Sequence, residues 1–311
     1  MSAKTFKAWI EIQELPKHIV AQFPFALGVV LAWYVTGSIN WGIFFTGMVA
    51  VYFITNGTYI SNEYFDYEDD RINTTRIGGE KQSVTSTGGT RVLAKGIIKR
   101  QHALIASIVC FILSIPLGLL LQFYFHTGVW TIPIGAIGIF VGWYYTAPPI
   151  RAAYNSLGEI FMSVGFGLLV FLGYYIMAGF SWLPVLVMLP WAICTPALKI
   201  LREFPDYEAD VTTNKRNLVV RFGRVRMSIV YAAMVVIVFL LLIPVVARAH
   251  SWWFLLLSLP VFMLGRSATI MLTGKWQERK SLETAAVSGF LGYLALPIAL
   301  LLAFLIESSV S

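Results

Sequence analysis

Nine of the 16 aspartates and glutamates in this chain fall into two short segments. The first runs Ser61-Asn62-Glu63-Tyr64-Phe65-Asp66-Tyr67-Glu68-Asp69-Asp70, and the second Arg202-Glu203-Phe204-Pro205-Asp206-Tyr207-Glu208-Ala209-Asp210. Asn62, Asp66 and Asp70 stand at i, i+4 and i+8, a spacing that places three oxygen donors on one face of a helix. Asp206, Asp210 and Asn214 repeat it. Like charges one turn apart destabilise a bare helix, so a cation should compensate them. Mg²⁺ is well suited to such a site, because it takes oxygen ligands, keeps several waters, and is commonly held by one or two carboxylates together with substrate phosphates. Two such faces turned towards each other would grip a metal-bridged diphosphate. A calcium loop of the D-x-D-x-D-G type is absent. His18, His102, His126 and His250 are scattered, and Cys110 and Cys194 lie in apolar runs, so neither a histidine-based zinc or haem site nor a disulfide scaffold is indicated.

Cations flank both acidic segments. Arg71, Arg76, Lys81, Arg91 and Lys95 follow the first; Lys215, Arg216 and Arg221 follow the second. Lys215, close behind the Asp206/Asp210 face, is the leading candidate for a direct phosphate contact. Arg91 ends the run Gly88-Gly89-Thr90-Arg91, a glycine loop able to fold over an anion.

The elements that must carry these residues are set by composition. The chain has 311 residues, 58% hydrophobic and only 13% charged, about half the ~25% usual in a soluble domain. This excludes a disordered chain, argues against a soluble enzyme, and points to a polytopic membrane protein. Nine apolar stretches are long enough to be candidate spans, at about 18–37, 40–61, 102–125, 129–146, 157–179, 183–201, 227–247, 251–273 and 283–306. The first follows Glu11 and Glu14 and has no small-residue cleavage site, unlike a signal peptide. Of the 23 lysines and arginines, 22 fall on one set of loops and only Arg248 on the other, which places the N-terminus and both acidic segments on the cytoplasmic side. The net charge of +7 is then a consequence of topology and calls for no nucleic acid. Trp33, Trp41, Trp130, Trp182, Trp252 and Trp253 fall at the opposite ends of the spans, as an interfacial belt should. The expected architecture is one all-α transmembrane domain over 1–311, with a tail at 1–17 whose Phe6, Trp9 and Ile10 share one face of an interfacial helix. Gly138 and Gly142 form a small-xxx-small pair for close helix packing. Glu159 and Arg266 are ionisable residues within spans and remain unassigned.

The pattern N-x-x-x-D-x-x-x-D (Asn62, Asp66, Asp70) with a later D-x-x-x-D (Asp206, Asp210) resembles the UbiA superfamily of intramembrane prenyltransferases, over about residues 10–300. The run Lys215-Arg216-Asn217-Leu218-Val219-Val220-Arg221-Phe222-Gly223 is similar to the 1,4-dihydroxy-2-naphthoate prenyltransferases of menaquinone synthesis, and Tyr144-Tyr145-Thr146-Ala147-Pro148-Pro149 resembles an aromatic, proline-rich turn of the family. The chain departs from many relatives in having Asn62-Glu63 rather than Asn-Asp, Asn214 in place of glycine, and Leu201-Arg202-Glu203 where several menaquinone enzymes carry asparagines.

The resemblance implies nine helices around a central cavity open to lipid. An isoprenyl diphosphate would bind through Mg²⁺ between Asn62, Asp66 and Asp70 on one side and Asp206 and Asp210 on the other. Arg91, Lys215 and Arg216 would contact phosphate. Tyr144 or Tyr145 would face the allylic group, where an aromatic face stabilises a developing carbocation. An aromatic acceptor would dock beside C1 in a site that excludes water. Diphosphate leaves only once its charge is neutralised, which metals, Lys215 and an arginine would accomplish. The general base is open between Asp70 and Asp210. Acceptors other than 1,4-dihydroxy-2-naphthoate (4-hydroxybenzoate, homogentisate, a chlorophyllide-like ring, a glycerol phosphate lipid) share the diphosphate motifs. An ion-coupled transporter would carry its carboxylates near the bilayer midplane, whereas here they crowd the inner ends of spans. Nothing in the sequence calls for an obligate protein partner.

Overall fold

Backbone N–H and C=O groups have no water to bond in hydrocarbon, so apolar runs of this length must satisfy themselves as helices. The computed structural model describes residues 2–72, 90, 92–212, 215–249 and 252–310, apart from the side chains of residues 69, 70, 72, 249 and 310. Its helices are α1 (Ala3–Glu11), α2 (Ile19–Thr36), α3 (Trp41–Phe65), α4 (Tyr67–Ile72), α5 (Arg100–Leu119), α6 (Thr131–Tyr144), α7 (Gly158–Ala178), α8 (Trp182–Glu203), α9 (Tyr207–Thr212), α10 (Leu218–Phe222), α11 (Arg224–Ala249), α12 (Ser258–Leu272) and α13 (Arg279–Val310). Among the described residues there is no strand.

Among the described residues, eight helical segments are long and apolar enough to cross a membrane. The ninth expected span, 129–146, is present as α6, a helix of 14 residues. At 1.5 Å per residue that is ~21 Å, short of the ~30 Å of a bilayer core. Gly128, at φ +103°, turns the chain before α6, and Pro148-Pro149 lies just beyond it. Both prolines lack the N–H that a continuing helix would need.

The helices close a circuit: α2 packs on α7, α7 on α8, α8 on α11, α11 on α12, α12 on α13, and α13 returns to α2. α3 pairs with α5, and α6 lies against both α3 and α7. Glycines set the closest crossings. A Cβ on Gly173 would lie 2.1 Å from the Phe25 carbonyl oxygen, and one on Gly142 would lie 2.2 Å from Thr58 Oγ1. The small residues noted in the sixth helix therefore do seat it on α3. Trp41, Trp130, Trp182 and Trp252 are exposed near helix ends, where a belt at the membrane interface is expected. Phe6 and Ile10 are exposed along α1, whose other side buries Ala8 with Ile60, Val92 and Leu93. Arg266 is exposed on α12.

Both acidic segments sit where helices break rather than on uninterrupted helical faces. α3 ends at Phe65, Asp66 is its C-cap with ψ near 0°, and α4 begins at Tyr67. α8 ends at Glu203, and Pro205 prevents it from running on. Asp206 precedes α9 and accepts its Asp210 N–H at 2.8 Å. The spacing rule placed the carboxylates one turn apart; in the second segment Asp206 and Asp210 keep that spacing, and the cation set against them is Lys215, 3.6 Å from Asp210.

Candidate active site

A cavity of about 360 Å³ lies between α3, α6, α7 and α8. That is the size of a small-molecule site. Its polar end is lined by Asn62, Asp66, Asp206 and Lys215, and its other walls by Ile54, Ile134, Val141, Phe161, Phe166 and Leu169. Ile137, which is exposed, also lines it, so the apolar arm reaches the outer surface of the bundle.

The break after α3 and the break after α8 deliver Asp66 and Asp206 to the same space from segments 140 residues apart. The loop after α6 ties them. Thr146 donates to Asn62 Oδ1 at 2.9 Å. Tyr154, in the 3₁₀ turn Ala152–Tyr154, donates its hydroxyl to Asp66 Oδ1 at 2.7 Å. The Tyr154 carbonyl accepts the Arg216 N–H at 2.9 Å, and Lys215 Nζ lies 5.3 Å from its ring centroid. Tyr154 thus joins the first acidic motif to the second. Only its type hinted at this; its distance from both motifs in sequence hid it.

Asp210 is buried beside these residues rather than on the cavity wall. It accepts from Asn217 Nδ2 at 2.6 Å and pairs with Lys215 Nζ at 3.6 Å. Burial pushes its carboxyl up, and Lys215 pulls it partly back. Burial alone would lower Lys215, but the carboxylates of Asp210 and then Asp66 outweigh it and hold the amine above the ordinary lysine value. Lys215 is therefore a firmly charged ammonium facing the cavity.

The remaining expected residues divide. Tyr145 lines the cavity and donates to Met162 Sδ at 3.4 Å. Tyr144 turns the other way, packing on Phe140 with centroids 4.9 Å apart. Arg216 contributes its backbone to the Tyr154 turn and to Ser156, while its side chain is exposed. Asp70 lies in α4, but its side chain is outside the described residues, as are Arg91, Arg76, Lys81 and Asn214.

The donors fit Mg²⁺. Asn62, Asp66 and Asp206 present hard oxygens to one space beside Lys215. Among the described residues no three His, Cys, Asp or Glu side chains are close enough to hold a metal by themselves. An ion completed by water and substrate phosphate, as Mg²⁺ prefers, needs no such cage.

Sequence reading missed a second charged group on the same cavity. Lys199 of α8 lies 3.0 Å from Glu159 Oε1 of α7 and bonds to Glu203 Oε1 one turn along its own helix. All three are buried, and Lys199 and Glu203 line the cavity. Glu159, unassigned from the sequence, is the partner of this lysine. The available signal was the i, i+4 Lys199/Glu203 pair at the inner end of an apolar span, since intramembrane charges are rarely idle. Glu14, Lys17 and Arg202 line the cavity as well, with Lys17 Nζ 2.8 Å from Glu14 Oε1.

The family model for the UbiA prenyltransferase family matches residues 21–294, and the chain belongs to that family. It is an integral membrane prenyltransferase. Among curated relatives, a 2-carboxy-1,4-naphthoquinone phytyltransferase of Synechocystis sp. is 28% identical over 262 residues, covering 82% of this chain and 80% of that one. A 1,4-dihydroxy-2-naphthoate octaprenyltransferase of Bacillus subtilis is 24% identical over 253 residues, covering 79% and 76%. Among solved structures, a UbiA homologue from Archaeoglobus fulgidus bound to DMAPP and Mg²⁺ superposes with a TM-score of 0.66 at 16% identity, over 94% of this chain and 98% of that one. At that identity the likeness shows the fold.

Proposed function

We propose that this protein transfers an isoprenyl group from its diphosphate to 1,4-dihydroxy-2-naphthoate or a closely related naphthoic acceptor, with Mg²⁺, as a step of menaquinone-type quinone synthesis. The observation that carries this reading is the convergence of Asn62, Asp66, Asp206 and Lys215 on one end of a cavity whose other end is apolar. Such a cavity matches a molecule that is a diphosphate at one end and a hydrocarbon at the other. The curated relatives support the naphthoic acceptor by name. The reading places the protein in the cell membrane, and the lysine and arginine asymmetry supports an orientation with the N-terminus and the polar end of the cavity at the cytoplasmic face.

In this reading Asn62, Asp66 and Asp206 hold the metal on the cavity wall, with Asp210 and the side chain of Asp70 completing the two motifs. Bound Mg²⁺ supplies positive charge that makes diphosphate a competent leaving group. Lys215 points a fixed ammonium at the departing oxygens, positioned by its Asp210 partner at 3.6 Å. Tyr154 fixes the carboxylate of Asp66 so that little reorganisation is needed on binding. Tyr145 presents a ring on the cavity wall where an allylic cation would form. The apolar walls exclude water that would otherwise quench that cation.

The test is direct. Purified protein in liposomes is supplied with labelled geranylgeranyl diphosphate, a panel of hydroxyarene acids and Mg²⁺, and the lipid product is identified. Prenylated naphthoate should form, stop on EDTA addition, and resume with added Mg²⁺. Asp66→Ala and Asp206→Ala should each lose at least about a hundredfold in turnover, the scale of removing one electrostatic stabiliser, while eluting as folded protein. Turnover in metal-free buffer, or wild-type rates in either variant, refutes the assignment.

A further inference from the structure

The carboxyl oxygens of Glu159 and Glu203 are unevenly used. Each gives one oxygen to Lys199. The other oxygen of each is buried and has no hydrogen-bond partner. Unpartnered buried carboxylate oxygens are costly, so a site that keeps one usually has a donor for it in the working state. Glu159 does not line the cavity; Glu203 does, and its residue is 7% exposed. With both glutamates ionised the trio carries one net negative charge, which Lys199 alone does not cancel.

The groups facing Glu203 are few. Lys199 comes from its own helix, Glu159 from α7, Tyr145 from the end of α6 and Lys215 from the segment before α10. Glu203 therefore lines the same cavity as Lys215 and is within its electrostatic reach.

Resting on the prenyl-transfer reading above, we propose that the carboxylate of Glu203, turned so that Oε2 meets the cavity its residue lines, is the proton acceptor for the hydroxyl of the arene acceptor, with Lys199 and Glu159 as its positioning residues. A ring hydroxyl supplies the donor that this oxygen lacks, and its orientation turns the neighbouring ring carbon towards C1 of the isoprenyl group. As that carbon bonds to C1, the C1–O bond breaks and its electron pair leaves with the diphosphate, while the hydroxyl proton passes to Glu203. The ring carbon then loses its own proton to the departing diphosphate, which carries it out, the ring regains aromaticity, and Glu203 returns its proton to the oxygen. The net products are prenylated hydroxyarene, diphosphate and one proton. The leftover negative charge also stabilises the allylic cation until the bond forms. Asp210, one of the two bases the sequence offered, is held instead by Asn217 and Lys215 away from the cavity wall.

The experiment compares wild type, Glu203→Gln and Glu203→Asp in liposomes, with Mg²⁺, geranylgeranyl diphosphate and hydroxynaphthoates of graded hydroxyl acidity. Glu203→Gln should lower kcat by about 10²–10⁴-fold, the range for a lost general base, with KM for the diphosphate unchanged. Its acid-side limb in kcat/KM for the acceptor should vanish, and acceptors with more acidic hydroxyls should restore most of the rate. Glu203→Asp, whose carboxylate is withdrawn by one methylene, should keep the limb but lose at least about tenfold in kcat. Wild-type kcat with an intact limb in Glu203→Gln overturns the assignment. If that variant does not fold, wild-type kcat in Glu203→Asp overturns it equally. Failure of the wild type to prenylate any hydroxyarene would instead refute the functional reading on which this rests.

Discussion

Lys199 is the position where a single substitution should most clearly expose the energetics of this fold. Its ammonium is buried at 7% exposure and bonded to two glutamates from different helices, Glu159 at 3.0 Å and Glu203 one turn away. Lys199→Met keeps the stem's volume and removes the charge. It leaves two carboxylates facing each other in a low-dielectric space between α7 and α8. Removing one partner of a buried ion cluster costs ~3–5 kcal/mol, far more than the ~0–1 kcal/mol of a surface pair. At ~2 °C per kcal/mol, the low end for proteins of 150–250 residues, since this chain is longer, the midpoint should fall by roughly 6–10 °C. Tryptophan fluorescence of detergent-solubilised protein during a thermal ramp reads this directly. The companion variant Lys199→Met/Glu159→Gln/Glu203→Gln is neutral throughout and should recover most of the loss, because replacing a whole buried ion cluster is often nearly neutral. A single variant within 2 °C of wild type, or a triple variant no better than the single, would show that the trio is not a coupled charge cluster.

Tyr154→Phe removes the 2.7 Å bond to Asp66 and keeps the ring. Bonds to charged groups are worth ~1.5–3 kcal/mol, so kcat/KM for the diphosphate should drop about 10–100-fold with folding intact; an unchanged kcat/KM refutes the bridging role. Gly173→Val would force a side chain onto the Phe25 carbonyl, where even a Cβ lies 2.1 Å away, and should cost ~1–3 kcal/mol or more by overpacking; an unaltered thermal midpoint would contradict the crossing of α2 and α7. Lys215 is held above the ordinary lysine pKa by Asp210 and Asp66 against the effect of burial, so its charge persists below that raised value and is lost only above it. Binding of an isoprenyl thiolodiphosphate should therefore stay level from neutral to about pH 10, near the free-lysine value of ~10.4. It should weaken with rising pH in Asp210→Asn, and a wild-type decline beginning near pH 8 would refute the pairing.

The acidic residues and the apolar runs were readable because each is a local signal. Spacing at i, i+4 and runs of about twenty apolar residues need no knowledge of what lies across the molecule. The spacing also misled in one respect: it placed Asn62, Asp66 and Asp70 on one continuous helix, whereas the chain bends at Asp66. Tyr144 and Tyr145 looked equivalent in sequence, yet adjacent residues at the end of a helix point about 100° apart, and only Tyr145 meets the cavity. The bonds that Tyr154 and Thr146 make to the first acidic motif were not legible in the sequence, because they reach across 88 and 84 residues.

The sequence by itself determined that this is a helical membrane protein whose two acidic segments lie on one side, since hydropathy and charge asymmetry act segment by segment against the solvent. Only the tertiary structure decided that Asp66 and Asp206 share a cavity, that Asp210 stands behind it, and that Glu203, which also lines it, keeps one buried oxygen without a donor. These are pairings between distant helices. They depend on which helix packs on which, and that is fixed by the joint packing of many side chains rather than by any local pattern.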